Sequence, residues 1–299
     1  MLKACYSPQY FAKTHTNSME KLTAVAQELE VYELAELVDP ESIDPKILYG
    51  IHDPEYVQAF VKGKKPLAVM QGFKQWSLQF REAIFAIQAG QLLATEIAFK
   101  EGIAANIAQG FHHAVYEHGN AYCTFNGLAL IAQQYPHKKV FVLDCDQHGG
   151  NGTAEYTRRF ENLFNFSIYA LAFGCATYER SITRHIHNKK GSFEQYAAAV
   201  IEGFEHALDW QADLIVYQAG MDCHQNDRCG SKWFDTEMLY QRDLMVFKLA
   251  KKYNLPIMFV LAGGYQKLDD LVPLHINTFK AANQIYFPEM VLSKLSKLN

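Results

Sequence analysis

The chain has no paired Cys-x-x-Cys spacing, no apolar run approaching the ~18 residues of a membrane span, and no surplus of positive charge. Each absence removes a class of function. The six cysteines, at 5, 123, 145, 175, 223 and 229, stand singly. That spacing excludes a disulfide framework and a thiolate zinc site, and fits reduced thiols in a cytosolic compartment. The start, Met1-Leu2-Lys3-Ala4-Cys5, carries no apolar signal core. A soluble cytoplasmic protein is expected, with nuclear residence or signal-independent secretion left open. Lys and Arg number 28 against 32 Asp and Glu, a net charge of -4. This gives no footprint for direct nucleic-acid binding and leans slightly toward a basic substrate. No repeat, low-complexity tract or linker breaks the sequence, so residues 1–299 are expected to form one domain.

What the chain does have is alternation. A content of 49% hydrophobic residues supplies ample core material. Leu22, Val25, Ala26 and Leu29 recur at helical spacing after Asn17 or Ser18, which reads as a capped helix within 17–36. Asp53-Pro54 opens a short helix, 64–79 reads as a surface loop, and 80–100 as a long helix stopped by Gly102. Apolar strands are predicted at 103–107, 140–143, 168–173, 214–218 and 257–261. Helices are predicted at 124–134, 193–210 and 236–253. Strand-helix alternation with apolar strands predicts a mostly parallel sheet covered by helices on both faces.

Four polar clusters follow directly on four of these strands, the edge where open parallel sheets bind ligands. They are Gly110-Phe111-His112-His113, Asp144-Cys145-Asp146-Gln147-His148 with Asn151, Gly220-Met221-Asp222, and Gly263-Gly264-Tyr265. Singly, each has an ordinary reading: a solvated strand end, a packing histidine, a helix cap, a turn. Together they supply the parts of metal-assisted amide hydrolysis. Side chains two residues apart in an extended chain share a side, so Asp146 and His148, ~7 Å apart at the backbone, can converge on one ion. Asp144, ~13 Å from His148, is left to a supporting role. A catalytic zinc site takes about three protein ligands and an open position, and Asp146, His148 and Asp222 meet that count. Two carboxylates neutralise a divalent ion and blunt its acidity. Such a site needs a base and an oxyanion donor, which the histidine pair and Tyr265 supply. Gly263 and Gly264 would give the tyrosine a mobile hinge.

Taken in order, these motifs resemble the zinc-dependent histone deacetylase superfamily over nearly the whole chain. Asn226-Asp227-Arg228-Cys229-Gly230 and Arg242-Asp243 look most like its class IV branch and bacterial relatives. The resemblance implies a three-layer α/β/α sandwich of the arginase/deacetylase kind. It implies one Zn2+ on Asp146, His148 and Asp222, with His112 paired to Asp144, His113 to Asn151, and Tyr265 stabilising the tetrahedral intermediate. Tyr122 would line one wall of an acyl-lysine channel, with Gly110, Gly263 and Gly264 along it.

Three departures stand out: Gly149 replaces a frequent histidine, 174–192 lacks a proline-glycine loop, and Ala170-Leu171-Ala172 stands where many relatives place Ser-Leu-His. A potassium ion, K+, would then rest on Asp144, Asp146 and carbonyls alone. Three alternatives remain. One is a small-molecule deacylase acting on acetylated polyamines. Another is an acyl-lysine-binding protein without catalysis. The third, a binuclear manganese hydrolase, lacks acids at Gly150 and His224. Cys123, Cys145 and Cys223 adjoin site residues and read as packing, or as targets of thiol oxidation. Oligomeric state is not encoded in any of these features.

Overall fold

Val140–Asp144 (β4) is a run of buried residues, and Leu163–Tyr169 (β5), Leu214–Ala219 (β7) and Ile257–Leu261 (β8) are buried throughout as well. Ile103–Gln109 (β3) is buried up to its last residue. Strands apolar on both faces belong inside a parallel sheet. The computed structural model, which describes residues 1–187 and 191–289, shows this arrangement. Lys3–Cys5 (β1), Glu36–Val38 (β2) and Ser181–His185 (β6) complete an eight-stranded sheet in the order β2-β1-β3-β8-β7-β4-β5-β6. Every strand pair is parallel.

Two groups of helices sandwich the sheet. Glu20–Val31 (α1), Phe193–Asp209 (α6), Thr236–Lys252 (α7) and Leu268–Tyr286 (α8) pack in succession; Leu78–Glu101 (α3), Gly127–Gln134 (α4) and Asn151–Tyr156 (α5) form the other group. Pro54–Lys62 (α2) starts on Asp53, whose side chain accepts from Glu55 N, as the sequence predicts. The three-layer α/β/α architecture is therefore the one expected. No helix among the described residues is long and apolar enough to cross a membrane.

Several boundaries differ from the sequence reading. α1 begins at Glu20 without a side-chain cap, so Asn17 and Ser18 do not serve as one. α4 begins at Gly127, capped by Asn126, three residues after the predicted start. β5 ends at Tyr169, so 170–173 leaves the sheet. β1 and β2, three residues each, are too short to show a period. The edge strand β6 is only partly buried and reads as polar loop, and Pro273 hides α8. The loop expected over 174–192 contains β6, and its residues 188–190 lie outside the described residues.

The four central strands end level. Asp144 pairs with Gln218, while Ala219 and Gln109 both pair with Leu261. A register shift between Asn106 and Gln109 kinks β3 before it exits, as bulges do beside functional sites.

Candidate metal centre

The exits of β3, β8, β7 and β4 are adjacent, and all four predicted clusters meet above them. Asp146, His148 and Asp222 offer donor atoms within 4.8 Å of one another. His148 Nδ1 lies 3.0 Å from Asp146 Oδ1 and 3.1 Å from Asp222 Oδ2. Both carboxylates are oriented by backbone amides: Gly263 N donates to Asp146 Oδ2 at 2.7 Å, and Gln147 N to Asp222 Oδ1 at 3.1 Å. Burial works against a charged imidazole, yet the hydrogen bonds it donates to the two carboxylates raise His148 to about 11. A pocket with that proton affinity favours a cation. Its one-nitrogen, two-oxygen donor set suits zinc, with outer hydrogen bonds holding each ligand in place. No other such cluster occurs among the described residues. His224 turns to Thr236 and Gln266 instead, which leaves no second-ion site there.

The two histidines stand beside this centre, ring centroids 3.9 Å apart. Phe111, at φ +60°, turns the chain so that both project inward. His112 Nδ1 meets Asp144 Oδ2 at 2.7 Å, and His113 Nδ1 meets Asn151 Oδ1 at 2.6 Å. These are the expected pairs, and they split the two rings. Burial opposes a charge on His112, but the Asp144 carboxylate outweighs it and the pKa is raised. His113 has burial, and then the charge of His112, pushing it well below the ordinary value, and the charge of Asp146 and the Asn151 amide offset them only in part. One imidazole is suited to be the cation and the other the neutral base.

Tyr265 sits at the lip, 36% exposed, its ring centroid 6.0 Å from that of His148. Its backbone is gripped from both sides. Its N–H donates to Asp227 Oδ2 at 2.7 Å, and its carbonyl accepts from Arg228 Nε and Nη2 at 3.3 and 3.1 Å. Burial of the phenol, then Asp146 and Asp222, hold its pKa well above the usual value, so the hydroxyl keeps its proton. Tyr122 is exposed at the mouth, against Phe73 with centroids 5.3 Å apart. Across from the predicted wall the structure supplies a residue the sequence reading missed. Phe173, at φ +50° and exposed, lies over His113 at 4.4 Å. Its signal was an aromatic just past an apolar strand, absorbed into that strand when 168–173 was read as one element.

A Cβ on Gly110 would fall 2.4 Å from Gln218 Oε1, and one on Gly264 2.5 Å from Leu271 Cδ1, so neither position has room for a side chain. Gly263 does face the centre, but as a close approach. Its Cβ would lie 2.3 Å from Asp222 Oδ2 and 2.6 Å from Asp146 Oδ2. Gly149 leaves room for the 171–175 loop, since its Cβ would meet Ala172 O and Cys175 Cβ at 2.5 Å.

Ser167 pairs across the sheet with Asp144 and is fully buried, its hydroxyl accepting from Gly150 N at 3.3 Å. Lys21 is a second residue missed. From α1 its Nζ donates to Ala262 O at 2.5 Å, and burial draws its pKa down to about 8 against the pull of Asp146 and Asp222. A lysine on the apolar face of a helix was its only trace in the sequence. Cys145 and Cys223 are buried thiols whose pKa burial raises, to about 12 for Cys145 and further for Cys223. Both therefore fit packing rather than redox chemistry.

The histone deacetylase domain family matches residues 15–278. A Picosynechococcus protein of unassigned function is 28% identical over 294 residues, 94% of this chain and 98% of its own. Histone deacetylase clr6 of Schizosaccharomyces pombe is 26% identical over 289 residues, 87% of this chain and 69% of its own. Among solved structures, an acetylpolyamine aminohydrolase from Burkholderia pseudomallei aligns with a TM-score of 0.80. It covers 95% of this chain and 99% of its own at 15% identity, a likeness of fold.

Proposed function

The chain belongs to the histone deacetylase domain family, and from that premise we propose that it hydrolyses the amide of an Nε-acyl-lysine side chain. Residues 1–299 act as one catalytic domain using one zinc ion. The carrying observation is the convergence of Asp146, His148 and Asp222 beside a split imidazole pair and a protonated phenol. Within the family we set the chain nearest the class IV branch, on Asn226 to Gly230.

Zinc held by Asp146, His148 and Asp222 supplies a Lewis acid for the acyl carbonyl and a more acidic water. The remaining work falls to the chain. The acyl-lysine stem enters between Tyr122 and Phe173, which exclude water from its methylenes. His113, kept neutral by burial and by the charge of His112, takes the proton of the attacking water. Charged His112, held by Asp144, keeps that base neutral and stabilises the negative charge that develops. Tyr265 donates its hydroxyl proton to a hydrogen bond on the oxyanion. The imidazole protonated in the first step returns its proton to the leaving lysine amine. A potassium ion near Asp144 would rest on Asp144, Asp146 and backbone carbonyls.

The test is turnover of an acetyl-lysine peptide with a fluorescent leaving group, with metal content measured on the same sample. Hydrolysis abolished by a hydroxamate is expected. Peptide binding without hydrolysis at full zinc occupancy would establish the non-catalytic reading instead.

A further inference from the structure

One cation stands at the lip of this site, and its charge bears on which acylated amine the site accepts. Arg228 is exposed and lies at the lip, its guanidinium hydrogen-bonded to the Tyr265 carbonyl, so its charge faces a neutral acceptor and not a carboxylate. The neighbouring acid, Asp227, is buried, and both its oxygens are taken by the amides of Tyr265 and Cys229. Exposed His15 packs on Tyr122 and Phe73, with ring centroids 6.0 and 6.1 Å away. Among the described residues, the side chains hydrogen-bonded to the Tyr265 backbone are Arg228, which is exposed, and Asp227, whose carboxylate is buried and satisfied.

Resting on the amide-hydrolysis reading, we propose that Arg228 selects acyl-lysine flanked by acidic groups and rejects acylated polyamines. A polyamine carries its remaining ammonium groups along the chain that would lie in this mouth, where they meet like charge. An acidic residue beside the acyl-lysine meets opposite charge. The net charge of -4 is a property of the whole surface and points the other way; the lip decides, because interactions beyond a Debye length of about 8–10 Å are screened.

The experiment measures kcat/KM and, by calorimetry with zinc-loaded protein, Kd for three acetyl-lysine peptides with Asp, Ala or Arg on both sides, and for N1-acetylspermidine. The expected result is an order of Asp over Ala over Arg, with about tenfold between the extremes at 50 mM salt, narrowing at 500 mM, and acetylspermidine weakest. Arg228→Glu should collapse or invert the Asp-to-Arg ratio, and Arg228→Gln should flatten it. Reading the ratio cancels any loss of turnover from a displaced Tyr265. A flat series, an Arg preference, acetylspermidine as the best substrate, or a ratio that survives Arg228→Glu would overturn the proposal. If no peptide is hydrolysed, the amide-hydrolysis reading falls, while the binding ratios still decide the charge of the mouth.

Discussion

His113 Nδ1 rests 2.6 Å from Asn151 Oδ1, a neutral amide where its neighbour His112 has a carboxylate. That difference leaves His113 without a hydrogen-bonded anion, and burial and the His112 charge depress it despite the more distant charge of Asp146. Asn151→Asp should reverse it. An anionic partner favours the imidazolium, so the pKa of His113 rises, by about one to three units. A base is active only above its pKa, so the acidic limb of the pH–rate profile moves to higher pH and the rate at neutral pH falls. An unmoved limb would remove His113 from the role of base.

Tyr265→Phe removes one oxygen from a side chain whose backbone is held on both sides by Asp227 and Arg228. The geometry should survive and the donor be lost. A fall in kcat of about 10²- to 10³-fold with KM nearly unchanged is expected, the signature of a bond made mainly in the transition state. Steady-state kinetics on the neutral peptide measure it.

Gly263→Ala sets a methyl against both metal-facing carboxylates, 2.3 and 2.6 Å away. The loop must retreat and the Gly263 amide leave Asp146. Zinc affinity should weaken about 10- to 100-fold, as when other orienting groups around a metal are lost. Competition with a chelator reads this directly, apart from activity.

Phe173→Ala uncovers His113 to water. The neutral imidazole loses part of its burial, so its pKa should climb and the acidic limb of the profile should shift upward, while KM for the acyl-lysine peptide rises as one channel wall goes. A change in KM alone would mean that Phe173 binds substrate without shielding the base.

Removing the metal with a chelator should abolish turnover and lower the melting temperature, because an ion that binds only the folded chain stabilises it in proportion to the logarithm of its occupancy. Restoring zinc should recover both. Calorimetry with metal analysis checks the pair of effects.

The site was legible in the sequence because its residues cluster directly after apolar strands, where topology alone sends them to one edge. His112, Asp144, Asp146, His148, Asp222 and Tyr265 each announced themselves as polar breaks after such runs. Phe173 did not, since an aromatic after Ile168 to Ala172 looks like more strand. Lys21 did not, since its cost of burial shows only once Ala262 and the two carboxylates are known to lie above it. The packing of Gly110 and Gly264 was not legible for a related reason: a glycine near a catalytic side chain looks the same in sequence whether or not a neighbour such as Leu128 fills the space a Cβ would take. The edge elements were lost to brevity. Three residues cannot display an alternation of period two.

The strand order carries one further consequence. β8 lies between β3 and β7, and these two strands have no other link to each other within the sheet. During vectorial synthesis every metal ligand is therefore made before the strand that joins the two halves of the scaffold. Until residues 257–261 insert, Asp146 lacks the Gly263 amide, and β3 and β7 each present an open edge. Assembly of the centre is thus a late event, and a nascent chain halted before β8 would be an aggregation hazard rather than a slow enzyme.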